Sequence, residues 1–233
     1  MLAWGRLFGL YSSVKGRSFH AMASRNTVRE FTENTYYHVY NRGVEKRVIF
    51  LDEQDYTVFL GLLKKYLVGE NYNKANRHKP VTIGSEVQLL AYCLMPNHFH
   101  LLLYQVSEQG VQKLMRRVTT GYVMYFNSRY SRVGGLFQGR YKASRIDADA
   151  YLHHISRYIH LNPEHYQAWP YSSLEYYRRT QAPPEWLHTD RILDLFSSQR
   201  EYLEFVDEYH DSMRELALLK WQLANNPDDT DIP

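Results

Sequence analysis

Two apolar runs joined by a single dipeptide constrain this chain more than anything else in it. Val87 to Met95 and His98 to Gln105 are rich in Leu, Val, Tyr and Phe, and only Pro96-Asn97 separates them. Runs of this length are too short to cross a membrane as helices and suit strands buried in a sheet. So tight a connection leaves no room for a crossover, and the two strands must pair antiparallel. Side chains alternate across a strand, which puts His98 and His100 on one face and Phe99 on the other.

The flanking sequence supplies the other elements. Tyr36-Tyr37-His38-Val39-Tyr40 is aromatic and β-branched and stops at Asn41-Arg42-Gly43, a strand followed by a turn. Asp52 can cap a helix carrying Tyr56, Phe59, Leu60, Leu63, Tyr66 and Leu67, with Gly69 as its stop. Asn71 to Pro80 reads as a polar loop. After the two paired strands, Ser107 opens a helix with Val111, Leu114, Met115, Val118, Tyr122 and Tyr125 on one stripe. Val133-Gly134-Gly135 is a turn, Leu136 to Ile146 reads as a strand, and Asp147 can cap a helix running to about Leu161, just before Asn162-Pro163. Hairpin-like strand pairs separated by helices specify an α+β fold, a central antiparallel sheet with flanking helices.

Pro183-Pro184 reads as a boundary. Behind it, Ser198-Gln199-Arg200-Glu201 is a capping box for a long acidic helix bearing Tyr202, Phe205, Val206, Tyr209, Met213, Leu216 and Leu219. The expected organisation is a flexible extension over 1–34, a main domain over 35–182, a helical extension over 183–224 and a disordered tail over 225–233. The first 22 residues hold three bases and no acid. A start at Met22 accounts for them more simply than an organelle transit peptide does.

Composition narrows the function. With 44% hydrophobic residues the chain can bury a core, so full disorder is excluded, and its single cysteine, Cys93, excludes an internal disulfide framework and a Cys-rich zinc site. The net charge of +3 hides a division. From Lys113 to Arg145 stand Lys113, Arg116, Arg117, Arg129, Arg132, Arg140, Lys142 and Arg145, with no acid among them, whereas Arg200 to Pro233 holds nine acids against three bases. The basic block is interleaved with Tyr122, Tyr125, Phe126, Tyr130, Phe137 and Tyr141. Cations for phosphates beside aromatic rings for bases suit a nucleic acid; a solvated helix face is the alternative. The 21 tyrosines admit three roles: packing, base stacking or nucleophile.

Two clusters carry chemistry. His98 and His100, about 7 Å apart along the backbone, can converge on one divalent metal, or can simply be hydrogen-bonded. In the helix before Asn162-Pro163, Leu152, Ile155 and Ile159 form the core stripe, while Tyr151, Tyr158 and Asn162 lie on its flank. Tyr158 and Asn162 are four residues apart, so a phenol and an amide emerge together. A core-edge tyrosine with a C-capping asparagine gives the same pattern.

Taken in order, these motifs resemble a known family. His98-Phe99-His100, the segment Leu136-Phe137-Gln138-Gly139-Arg140-Tyr141-Lys142-Ala143, and Tyr158 in a helix ending at Asn162-Pro163 look like the single-tyrosine HUH (His-hydrophobic-His) transposases. Tyr37-His38-Val39-Tyr40-Asn41-Arg42-Gly43 and Ile49-Phe50-Leu51-Asp52 resemble one branch of them, the REP-associated tyrosine transposases. The resemblance runs from about Thr35 to Ser173 and implies a ferredoxin-like HUH endonuclease fold over the domain 35–182. It implies that His98 and His100 bind Mg²⁺ or Mn²⁺, that Asn162 is the third ligand, and that Tyr158 is the nucleophile, with Tyr151 its rival. It further implies strand cleavage and transfer on single-stranded or hairpin DNA through a 5′-phosphotyrosine. The setting implied is a bacterial, nucleoid-associated cytoplasmic protein, either monomer or homodimer. The basic block, Tyr141 and Arg157 would then touch DNA. Two other readings remain open at this point: a non-cutting hairpin-binding protein, and a metal-dependent hydrolase in which Tyr158 is structural.

Overall fold

The computed structural model describes residues 31–69, 82–146 and 149–208. The expectations for residues 1–30, for Asp147 as a cap, for the chain beyond Glu208 and for the tail lie outside the described residues. Those that are described belong to one compact unit spanning Glu30–Met213.

The two runs around Pro96-Asn97 form β2 (Val87–Met95) and β3 (His98–Gln105), paired antiparallel from Val87 opposite Gln105 to Met95 opposite His98. The register shifts between Leu89 and Ala91, a bulge at Leu90. The first aromatic run is β1 (Thr35–Arg42), and it lies on the other side of β3, with Tyr40 opposite His100 and Arg42 opposite His98. β4 (Lys142–Ile146) completes an all-antiparallel sheet of order β2-β3-β1-β4. The strand expected from Leu136 is therefore shorter. Its first half instead crosses the end of β1, with Gln138 N–H donating to Arg42 O (2.8 Å) and Val44 N–H to Leu136 O (3.0 Å). Gly139, at φ +68, makes the turn that separates the two halves.

Helix α1 (Glu53–Leu67) begins as its sequence indicates: Asp52 accepts from the N–H groups of Gln54 and Asp55. Helix α2 (Gly110–Arg129) starts three residues later than Ser107, because the Ser107 hydroxyl is engaged by the Glu86 carboxylate at 3.1 Å. Gly110 sits against that same turn; a Cβ there would lie 2.2 Å from Glu86 O. These helices cover one face of the sheet, where Phe59 meets Phe99 and Tyr122 and the core gathers Val39, Leu94, Leu101, Leu103, Leu114 and Val118. The opposite face carries His38, Tyr40, Cys93, His98 and His100, and receives α3 (Asp149–His160), which packs on β2, β3 and β4.

The outer edge of β2 is sealed by the residues that follow. Leu94 N–H donates to Tyr171 O (2.9 Å), Ser173 N–H to Tyr92 O (2.9 Å), Tyr177 hydroxyl to Leu90 O (2.8 Å) and His188 N–H to Leu89 O (2.9 Å). An unpaired strand edge is thereby covered. Two single turns, α4 (Leu174–Tyr177) and α5 (Asp190–Leu193), lead to α6 (Gln199–Asp207), where half of the expected capping box forms: Ser198 accepts from Glu201 N–H, while the Glu201 carboxylate accepts from Ser197 N–H instead of Ser198 N–H. The chain passes Pro183-Pro184 without leaving the core, since Trp186 and Leu187 join the main apolar cluster. No helix among the described residues is long and apolar enough to cross a membrane.

Candidate active site

The site grows from the register of β1 and β3. Antiparallel partners share a face, so Tyr40 opposite His100 puts the ring of β1 beside that of β3. His38 and His100 meet through Nε2 and Nδ1 at 2.8 Å. Their planes lie within 14° of each other at a centroid separation of 5.0 Å, an edge-to-edge pair. His98 stands perpendicular to His100, centroids 5.0 Å apart. Burial pushes His38 down to about 3, so its ring is neutral.

Helix α3 lays Tyr158 and Asn162 over this pair. The Tyr158 ring packs edge-on to His100 and His38, with centroids 5.4 and 5.8 Å away. Burial raises its phenol well above the ordinary value, and the Asn162 amide, hydrogen-bonded to it, pulls the other way. Asn162 Oδ1 lies 3.1 Å from His98 Nε2. Asn162, four residues after Tyr158, thus sits against His98. Tyr151, two turns earlier, is 43% exposed and makes no ring contact with the histidines among the described residues.

The donor set fits a divalent cation. Asn97 donates its amide to Lys46 O (3.2 Å), which turns Asn97 Oδ1 toward His98 Nδ1 at 2.6 Å. His98 then donates from Nδ1, and its Nε2 lone pair faces the lone pairs of Asn162 Oδ1. Two acceptors at that distance repel unless a cation or a proton lies between them. Neighbouring ligands of an octahedral ion with bonds of about 2.1 Å are themselves about 3 Å apart. No group of three His, Cys, Asp or Glu side chains placed for a metal occurs among the described residues. The third protein ligand available is therefore an amide.

The basic block is distributed differently from its sequence. Lys113 pairs with Glu86 at 2.5 Å and holds that carboxyl below its usual range. Arg129 bridges Asp52 (2.6 Å) and the buried Asp55 (2.8 Å). The acids missing from 113–145 come from other segments, so this part of the block is compensated in space. Arg132 lies over Phe126 and contacts Asn127; Arg117 lies over Tyr66. Arg116 and Arg117 stand on α2, across the sheet from the histidines. Arg157, expected to touch DNA, is 7% exposed; it stacks on Phe205 and donates to Phe205 O. Tyr141 packs against the core, and Arg145 contacts Thr32. Lys142 is opposite Tyr40 and shares its face, and Arg140 is exposed beside Gly139, whose carbonyl accepts from Asn41. Of the block's strand residues, Lys142 is the one that the register puts on the histidine face.

His38, Tyr40 and Asn97 belong to the site and were not among the candidates. His38 and Tyr40 repeat the i, i+2 spacing of His98 and His100, a signal present in the sequence once β1 is known to neighbour β3.

These features place the chain among the transposases. Residues 31–162 match the family model described as Transposase IS200 like, and the chain belongs to that family. Its motifs anticipate this grouping. Among solved structures, the chain is similar to a REP-associated tyrosine transposase bound to a REP hairpin, at 15% identity and a TM-score of 0.49, covering 73% of this chain and 94% of that one. It is also similar to a protein of Deinococcus radiodurans R1 described as a transposase, at 15% identity and a TM-score of 0.36, covering 57% of this chain and 94% of that one. Comparison with curated proteins finds no match.

Proposed function

We propose that the protein cleaves and rejoins single-stranded or hairpin DNA, as the REP-associated branch does, with Tyr158 as nucleophile. The observation that carries this reading is that one segment sets the Tyr158 ring 5.4 Å from His100 and Asn162 Oδ1 3.1 Å from His98 Nε2. His98, His100 and Asn162 would hold Mg²⁺ or Mn²⁺. The ion, when bound, offsets the negative charge of the phosphodiester and steadies the leaving oxygen.

The chain's own groups do the rest. The Asn162 amide beside the phenol favours its deprotonated form, against the effect of burial. Tyr158 oxygen attacks phosphorus; the new O–P bond forms as the bond to the 3′ oxygen breaks, and that oxygen takes up a proton. The products are a 5′-phosphotyrosine and a free 3′ hydroxyl, and the reverse attack by another 3′ hydroxyl joins the strands. Lys142 shares the face of the histidines and would position a backbone phosphate. Arg157 does not serve the phenol, since its guanidinium lies on Phe205.

Labelled hairpin DNA incubated with protein and Mn²⁺ should give a covalent adduct on a denaturing gel. Tyr158→Phe should abolish it, and an adduct that persists in that variant rejects Tyr158 as nucleophile. One observation favours a second reading, a hairpin-binding protein that does not cut: Tyr158 is only 4% exposed. That reading requires binding that survives loss of both His98 and His100, with no adduct under any divalent ion.

A further inference from the structure

Arg42 is the last residue of β1 and stands opposite His98. Antiparallel partners share a face and lie about 4.5–5.5 Å apart at Cα, so the Arg42 side chain leaves the sheet beside that of His98. The pairing is pinned one residue further on, where Gly43 N–H donates to Asn97 O at 2.8 Å. Two bonds then tie Arg42 to the segment that crosses the end of β1. Its carbonyl accepts from Gln138 N–H (2.8 Å), and its Nε donates to the Gln138 side-chain oxygen (2.5 Å). The outer nitrogens of the guanidinium, Nη1 and Nη2, have no hydrogen-bond or ion-pair partner among the described residues.

Arg42 also lacks a counter-charge. Lys113 and Arg129 each meet a carboxylate, whereas no strand residue on the histidine face is acidic. A guanidinium held by its inner nitrogen, with its outer edge open and no acid on its face, suits an anion brought from outside. We propose that Arg42 is a further catalytic residue for the strand cleavage described above. Its outer edge donates to a non-bridging oxygen of the phosphate that Tyr158 attacks, and Gln138 is the positioning residue that orients the fork. The inference rests on that reading of the site. Arg42 transfers no proton: the O–P bond to Tyr158 forms and the bond to the 3′ oxygen breaks as before, while the guanidinium offsets the negative charge on the non-bridging oxygens. A lysine cannot hold Gln138 and present a two-pronged donor at once.

The cleaved phosphate is first mapped with the full chain, Mn²⁺ and a labelled hairpin. Hairpins carrying one uncharged methylphosphonate, at that position or at the next phosphate on either side, are then bound by the Tyr158→Phe chain. Adding Arg42→Ala should weaken binding of the unmodified hairpin roughly 10- to 100-fold, as for a hydrogen bond between charged groups. With the methylphosphonate at the cleaved position that loss should shrink to about two-fold, because the partner charge is already gone. A loss that stays the same there, or that shrinks only at a neighbouring phosphate, overturns the proposal and leaves the cutting activity standing. Arg42→Lys in the otherwise unchanged chain keeps the charge but should slow adduct formation about ten-fold. An unchanged rate also overturns the proposal, and this variant decides the matter even if Arg42→Ala does not fold. A wild-type chain that forms no adduct under any divalent ion removes the reading on which the inference rests, and the inference with it.

Discussion

His160 shows how burial, more than neighbouring charge, sets the chemistry of single residues in this protein. It bridges α3 to two later segments, with Nδ1 on the Tyr202 hydroxyl (2.7 Å) and Nε2 on the Ser173 hydroxyl (2.8 Å). Burial, with a smaller contribution from Arg178, pushes it down to about 3. His38, on β1, is pushed down to about 3 by burial alone. For both, the unfolded chain binds a proton from about pH 6.5 while the folded one stays neutral. Stability is therefore complete above that pH and falls as the pH drops toward 3. The limiting slope is about 1.4 kcal/mol per pH unit for each histidine. Urea unfolding at pH 7.5 and pH 5 should show the loss, and His160→Gln should shrink the difference between the two. A stability that is flat across this interval contradicts neutral burial of both rings.

At the scale of elements, one ion cluster ties α1 to α2. Asp55 is wholly buried and accepts from Leu51 N–H, the Tyr125 and Tyr130 hydroxyls and Arg129. Arg129→Ala leaves that carboxylate without its counter-charge, although the two phenols remain. The melting temperature should fall by several degrees. Lys142→Ala should instead lower the melt less than Arg129→Ala does and weaken DNA binding several-fold; the opposite pattern would mean that Arg129 belongs to the DNA surface. The helix and strand stripes were legible in the sequence because period 2 and period 3.6 are written into it, from His98-Phe99-His100 to Leu152, Ile155 and Ile159. What Arg129 and Arg157 do was not legible. A charge's partner depends on which segments meet, and Asp52 and Phe205 are remote from them in sequence. The strand order β2-β3-β1-β4 was equally hidden, and with it the place of His38 and Tyr40 in the site.

For the whole molecule, the decisive question is whether the segment after Pro183-Pro184 is an addition or part of the core. Trp186, Leu187, Ile192, Leu193, Tyr202 and Val206 are all buried. Tyr202 also holds His160, in the helix that carries Tyr158, and His188 closes the edge of β2. At roughly 1.5–3 kcal/mol for each large apolar side chain, their burial contributes on the order of 10 kcal/mol. That is a gross gain, offset in part by the entropy cost of ordering the segment, in a fold whose net stability is only about 5–15 kcal/mol. A chain ending at Ala182 would also expose the edge of β2 to pairing with other copies. It should therefore give no cooperative melt by circular dichroism and should aggregate, although every candidate site residue is still present. A truncated chain that melts within a few degrees of the full one would show that the sheet and α3 hold together alone. The geometry argues otherwise, because the helix that sets Tyr158 over His100 is itself gripped from behind by residues beyond that boundary.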